Sequence, residues 1–107
     1  MSIYKTAHFQ VKAAALAICQ QAVREFIAYV QANEPGTSLY LALQEQQDPT
    51  RFLHYFIFDD AEAEERHRTS DGVKRFTETL YPELESGRVM FVDHMLLATT
   101  EARHDPR

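Results

Sequence analysis

Apolar and polar positions alternate at the start of the chain. In IYKTAHFQV, residues 3–11, Ile3, Ala7, Phe9 and Val11 share one face of an extended backbone, with Tyr4, Thr6, His8 and Gln10 on the other. That period of two predicts a strand. From 13 to 33 the spacing turns helical: Leu16, Cys19, Val23, Phe26, Ile27 and Val30 form one stripe, and the alanines at 13–15 favour a helix intrinsically. Pro35 and Gly36 end that helix, with Gly36 expected at the positive φ of a type II turn. SLYLALQE, residues 38–45, predicts a second strand. RFLHYFIF, residues 51–58, predicts a third, apolar on both faces as in a strand covered on both sides. Asp59 is expected to open a short helix. Ser70 or Asp71 caps another, whose apolar stripe is Val73, Phe76, Leu80 and Leu84. Residues 88–99, RVMFVDHMLLAT, predict a closing strand.

The order β-α-β-β-α-β, with the second helix broken in two, is the ferredoxin-like arrangement of an α+β fold. Its four-stranded antiparallel sheet is expected in the order 4-1-3-2, with helices on one side. We expect residues 1–100 to form a single domain and the tail EARHDPR, 101–107, to fray. The other side of the sheet would be bare, yet the third strand is apolar there too. A homodimer formed by a second copy on that face is the expectation.

Composition narrows the partners. The chain has 107 residues, 45% of them hydrophobic and 25% charged, which suits one globular core. A net charge of −5 argues against nucleic acid or an anionic membrane as a partner, since both require a basic surface. One cysteine, Cys19, cannot form an internal disulfide, and it falls on the apolar stripe of the first helix as a small core residue. The start MSIYKTAHFQ lacks an apolar signal segment, and no apolar run approaches the ~20 residues of a membrane span. A cytoplasmic location is expected.

Candidate chemistry centres on histidine. DDAEAEERH, residues 59–67, runs from acid to base. Asp59 as N-cap with Glu62 at N3, and Arg66, His67 and Arg68 at the other end, match the helix dipole without any ligand. Alternatively His67 is a proton acceptor at a pocket edge, with Ala63 one turn earlier leaving room beside the imidazole. His8, His54 and His94 lie mid-strand on three strands expected to be neighbours. They would hold a metal ion only if their registers converge on one face, and no short-spaced ligand pair supports that. Tyr4, Tyr40, Tyr55 and Tyr81 would line an aromatic pocket or pack in the core. Glu34 is expected to be an exposed turn residue, and the three glycines are too scattered for a phosphate loop.

Several segments together resemble a known family. They are Glu34-Pro35-Gly36-Thr37 with Tyr40, then Asp60 with Ala63 and His67, then Phe76 ahead of Leu80. In this order and spacing, over roughly residues 5–98, the chain resembles the antibiotic biosynthesis monooxygenases, among them the quinol monooxygenase-like proteins. The resemblance implies a dimeric α+β barrel with a pocket between sheet and helices. It implies oxidation of a small aromatic phenol or hydroquinone by O2 without a cofactor. His67 would then be the catalytic proton-handling residue, and His54, Tyr55, Ala63 and Tyr81 would contact the substrate, with no metal. The rival expectation is a non-catalytic dimer that binds a small apolar or aromatic ligand. Many relatives carry a glutamate in the third strand eleven residues before the histidine, where this chain has Phe56. An acidic partner for His67 is therefore expected to be missing. The haem-degrading branch uses a tryptophan and an axial histidine on the second helical segment. This chain has no Trp, and after His67 its next histidine is His94. Haem degradation is not expected.

Overall fold

The computed structural model describes residues 1–101. Four strands, β1 (Ile3–Gln10), β2 (Thr37–Gln44), β3 (Arg51–Phe58) and β4 (Met90–His94), form one antiparallel sheet in the order β2-β3-β1-β4. Among the described residues three α-helices accompany it: α1 (Leu16–Asn33), α2 (Ala61–Arg68) and α3 (Asp71–Leu80). The topology and strand order are those expected from the pattern. The tail expected from 101 onward lies, except for Glu101, outside the described residues.

Strand pairing sorts the side chains into two faces. Ala7 pairs with His54, Phe9 with Phe52, Tyr40 with Phe56 and Ala7 also with Phe91, so these residues share the face beneath the helices. Thr6 pairs with Tyr55 and Val92, Leu41 with Tyr55, and His8 with Leu53 and Met90, so these share the opposite, open face. Most of the core lies between sheet and helices. Phe9, Val11, Cys19, Val23, Phe52, Leu80 and Leu84 pack together, and a second cluster joins Ala7, Phe56, Phe58 and Ala63. A fully buried Phe or Leu of this kind contributes on the order of 2 kcal/mol.

The local differences from expectation have identifiable causes. Residues 13–15 form a 3-10 turn before α1 starts at Leu16. The N-cap of α2 is Asp60, not Asp59: its carboxylate accepts from the backbone N–H of Ala63 at 2.8 Å, so Glu62 does not close a capping box. Ser70 caps α3 through the N–H of Val73. Among the described residues Gly87 is the glycine at positive φ, and Gly36 is not. Gly36 is needed for proximity instead, because a Cβ there would sit 2.6 Å from Cβ of Ala63. β4 ends at His94 rather than 99, since His94 pairs with Tyr4 and β1 begins at Ile3. Beyond that point β1 has almost no backbone left to pair. Among the described residues no helix is long and apolar enough to cross a membrane.

Candidate functional site

His67 lies in the last turn of α2, where the sequence placed it, but its surroundings are not those of a surface helix end. Its side chain is 12% exposed. Phe58 stands 5.0 Å from the imidazole, centre to centre, Phe26 5.6 Å, and Tyr40 and Phe56 6.0 Å each. Its Nδ1 lies 2.7 Å from Oε1 of Glu34. Glu34 closes the C-terminal end of α1, where its N–H donates to the Val30 carbonyl. The turn through Pro35 and Gly36 presses against Ala63, which brings the Glu34 carboxylate in beside α2. Thr37 donates its hydroxyl to the same Oε1 at 2.9 Å.

Two expectations are thereby corrected. Glu34 is buried, not exposed, and His67 does have an acidic partner. The carboxylate comes from the α1–β2 turn, while Phe56 of β3 packs on the imidazole as an apolar wall. Sequence reasoning had Glu34 within a motif but missed its part in the site. A glutamate before Pro-Gly reads the same whether it points out or tucks in. With Nδ1–H donating to a carboxylate, Nε2 is the nitrogen left to accept a proton, and it has no hydrogen-bond partner among the described residues.

His67 borders two adjoining chambers between the sheet and the helices. The outer one, of about 200 Å³, is lined by Lys5, Phe56, Phe58, Glu64, His67, Arg68, Val73 and Phe91. The inner one, of about 70 Å³, shares Phe56, His67, Val73 and Phe91 with it and adds His54, Tyr40, Phe76 and Tyr81, among others. Lys5 reaches Glu64 at 2.7 Å and Asp93 at 3.2 Å across the outer chamber's polar side. The hydrogen bond its ammonium donates to Glu64 is the main influence holding Lys5 above the ordinary lysine range.

His54 is 1% exposed. Tyr40 meets its Nδ1 at 2.7 Å, and its Nε2 is buried with no hydrogen-bond partner among the described residues. Burial pushes His54 down to about 4, so the ring is neutral at neutral pH. Burial, and then the charge of Glu34, hold the Tyr40 hydroxyl above its usual range, so it keeps its proton. Tyr40 Oη has no other hydrogen-bond partner among the described residues, so its hydrogen is used only by donating to Nδ1, which puts the hydrogen of the neutral ring on Nε2.

The remaining candidates divide. His54 and Tyr81 join His67 in the cavity wall. Tyr55 does not: it pairs with Thr6 and Leu41 and lies on the open face, across the sheet from the cavity. Ala63 packs against Gly36 and the Phe56–Phe58 cluster and lines neither chamber, so the room it makes is for the turn and not for a ligand. His8 and His94 fall on the open face, where His94 is 2.8 Å from the Thr6 hydroxyl, while His54 faces the helices. The three strand histidines do not converge. No cluster of His, Cys, Asp or Glu among the described residues is arranged to hold a metal ion.

This geometry defines a small α+β domain with an aromatic cavity, one carboxylate-held histidine and one buried neutral histidine. The chain belongs to the antibiotic biosynthesis monooxygenase family, whose profile matches residues 2–79. Solved structures agree on the fold. A protein from Bacteroides thetaiotaomicron VPI-5482 assigned to antibiotic biosynthesis monooxygenases is 17% identical, with a TM-score of 0.86, covering 94% of this chain and 93% of its own. Rv0793 from Mycobacterium tuberculosis is 14% identical, with a TM-score of 0.84, covering 94% and 100%. A variant of SnoaB, described as a cofactor-independent oxygenase from Streptomyces nogalater, is 16% identical, with a TM-score of 0.77, covering 92% and 96%. No curated protein matches the chain significantly.

Proposed function

We propose that the protein is a cofactor-independent monooxygenase that oxidises a small phenol or hydroquinone with O2. The observation that carries this reading is the Glu34–His67 pair, whose imidazole borders a cavity walled by aromatic rings. Family membership and the cofactor-independent oxygenase among the structural relatives support it. An engineered cavity of ~150 Å³ binds benzene, so the outer chamber, at about 200 Å³, suits one aromatic ring.

His67 takes the ring's hydroxyl proton at Nε2, and Glu34 fixes the tautomer and offsets the charge the imidazole gains. Glu34 lines neither chamber and acts through His67, as a positioning residue. The resulting anion is electron-rich enough to reduce O2. For a hydroquinone the sum is hydroquinone plus O2 giving hydroxyquinone plus water. One oxygen atom enters the ring, the other leaves as water, and all four electrons come from the substrate. No external reductant is needed.

The reading also includes a homodimer formed through the open face. Leu41, Leu43, Met90 and Val92 lie exposed there beside Tyr55, a patch that a second copy would cover.

Oxygen uptake with a panel of hydroquinones and phenols tests the activity. His67→Ala is expected to abolish turnover. Glu34→Gln is expected to lower kcat by about 10²-fold with little change in KM. Turnover unchanged in His67→Ala would reject the assignment. Saturable ring binding without oxygen uptake would identify a carrier or sensor instead.

A further inference from the structure

The inner chamber is too small for a ring. Its volume of about 70 Å³ is less than half the ~150 Å³ that takes benzene, yet several times the ~10–15 Å³ that takes one water. Most of its wall is aromatic or aliphatic, with Phe9, Phe26, Phe56, Phe76, Leu80 and Val89 among the lining residues. Within that wall stands His54, whose Nε2 is buried and has no hydrogen-bond partner among the described residues. A histidine present only for packing has no use for an orphaned buried donor. Tyr40 has fixed the hydrogen on that nitrogen, and Phe76 stacks on the ring at 6.1 Å and holds its plane.

We propose that the inner chamber is a dioxygen site, and that the Nε2–H of His54 stabilises the reduced oxygen formed there when an aromatic anion beside His67 gives up an electron. The inference rests on the oxygenase reading and assigns that reaction its second substrate site. An apolar pocket suits O2, which gains little from water. Neutral O2 takes almost nothing from an N–H donor, whereas superoxide and a peroxide anion accept a strong hydrogen bond. The contribution of His54 therefore appears as charge develops and not before. Shared walls at Phe56, His67, Val73 and Phe91 place the two reactants side by side.

The steps balance. The hydroxyl proton passes to His67, and the phenolate passes one electron to O2, giving a ring radical and superoxide. The radicals couple in a new C–O bond, and the peroxide anion takes the proton back from His67. Loss of the proton on that ring carbon forms a carbonyl, breaks the O–O bond and releases hydroxide, which combines with that proton as water.

The test compares wild type with His54→Leu/Tyr40→Phe, which removes the donor without orphaning the tyrosine hydroxyl. It also includes His54→Gln, which keeps an N–H donor. Steady-state rates are measured against oxygen concentration, and anaerobic hydroquinone binding by calorimetry. In the double variant kcat/KM for O2 is expected to fall by about 10²-fold, with anaerobic binding of hydroquinone unchanged. His54→Gln should recover a large part of that loss. Unchanged oxygen dependence in the double variant would overturn the site alone. So would a parallel loss of ring binding, which would make His54 a contact for the ring's own oxygen. If wild type consumes no oxygen with any ring, the oxygenase reading fails and the site falls with it.

Discussion

His54 imposes an ionisation that folding has to suppress. In the unfolded chain the ring titrates near the ordinary histidine value of 6.5, and in the folded protein at about 4. Between those values the unfolded chain binds the proton and the folded one does not, so stability falls as pH drops from about 6.5 towards 4 and is complete above 6.5. The difference corresponds to roughly 3 kcal/mol at the acid end. Thermal melts of wild type and His54→Gln between pH 7 and about 4.5 check this. The wild type should lose more melting temperature on acidification than the variant, and equal losses would refute the assignment. The histidine was visible in the sequence as a polar residue in an apolar strand. Its protonation state was not, because that depends on the helices that bury it, and its tautomer depends on Tyr40, fourteen residues away. His67 contrasts with it. The charge gradient that explains its place at a helix end is present, with Arg66, His67 and Arg68 in the last turn of α2. The buried carboxylate that gives it chemical meaning comes from a residue 33 positions earlier.

Among the elements, the contact of the α1–β2 turn with α2 decides whether that pair exists. Gly36 lies so close to Ala63 that a methyl added at Gly36 would strike the Ala63 methyl. Gly36→Ala is expected to cost about 1–3 kcal/mol and to shift Glu34 away from His67. Ala63→Gly in the same chain, which removes the methyl it would strike, should restore part of the stability. Denaturant midpoints for the single and double variants measure this, and no rescue would place the strain elsewhere. Strand and helix periods made β1 and β3 legible to within a residue, and α1 except for its first three expected residues, because their alternation reflects burial directly. The turn was misread for a physical reason. Pro-Gly signals a positive φ as readily as it signals a close approach, and only the neighbour at the Gly36 Cα distinguishes them.

For the whole molecule, the open sheet face is the largest unmet demand. Sedimentation at micromolar concentration should give twice the chain mass. Leu41→Lys with Val92→Lys should give the chain mass alone, and a monomeric wild type would refute the pairing. Both residues are already partly exposed in the single chain, so the changes act on association before folding. The sheet order was legible because four strands and short connections leave few topologies. The length of β4 was not, because an apolar run continues to Ala98 while its partner strand does not. That shortness has a kinetic side. Phe91, 59% exposed, walls both chambers, and the strand that carries it is five residues long and bonded along one edge only. Of the cavity's walls it is the one whose local opening costs far less than global unfolding. The rate at which rings arrive and products leave would then be set by the breathing of β4, and whatever covers the open face of that strand would also govern traffic through the site.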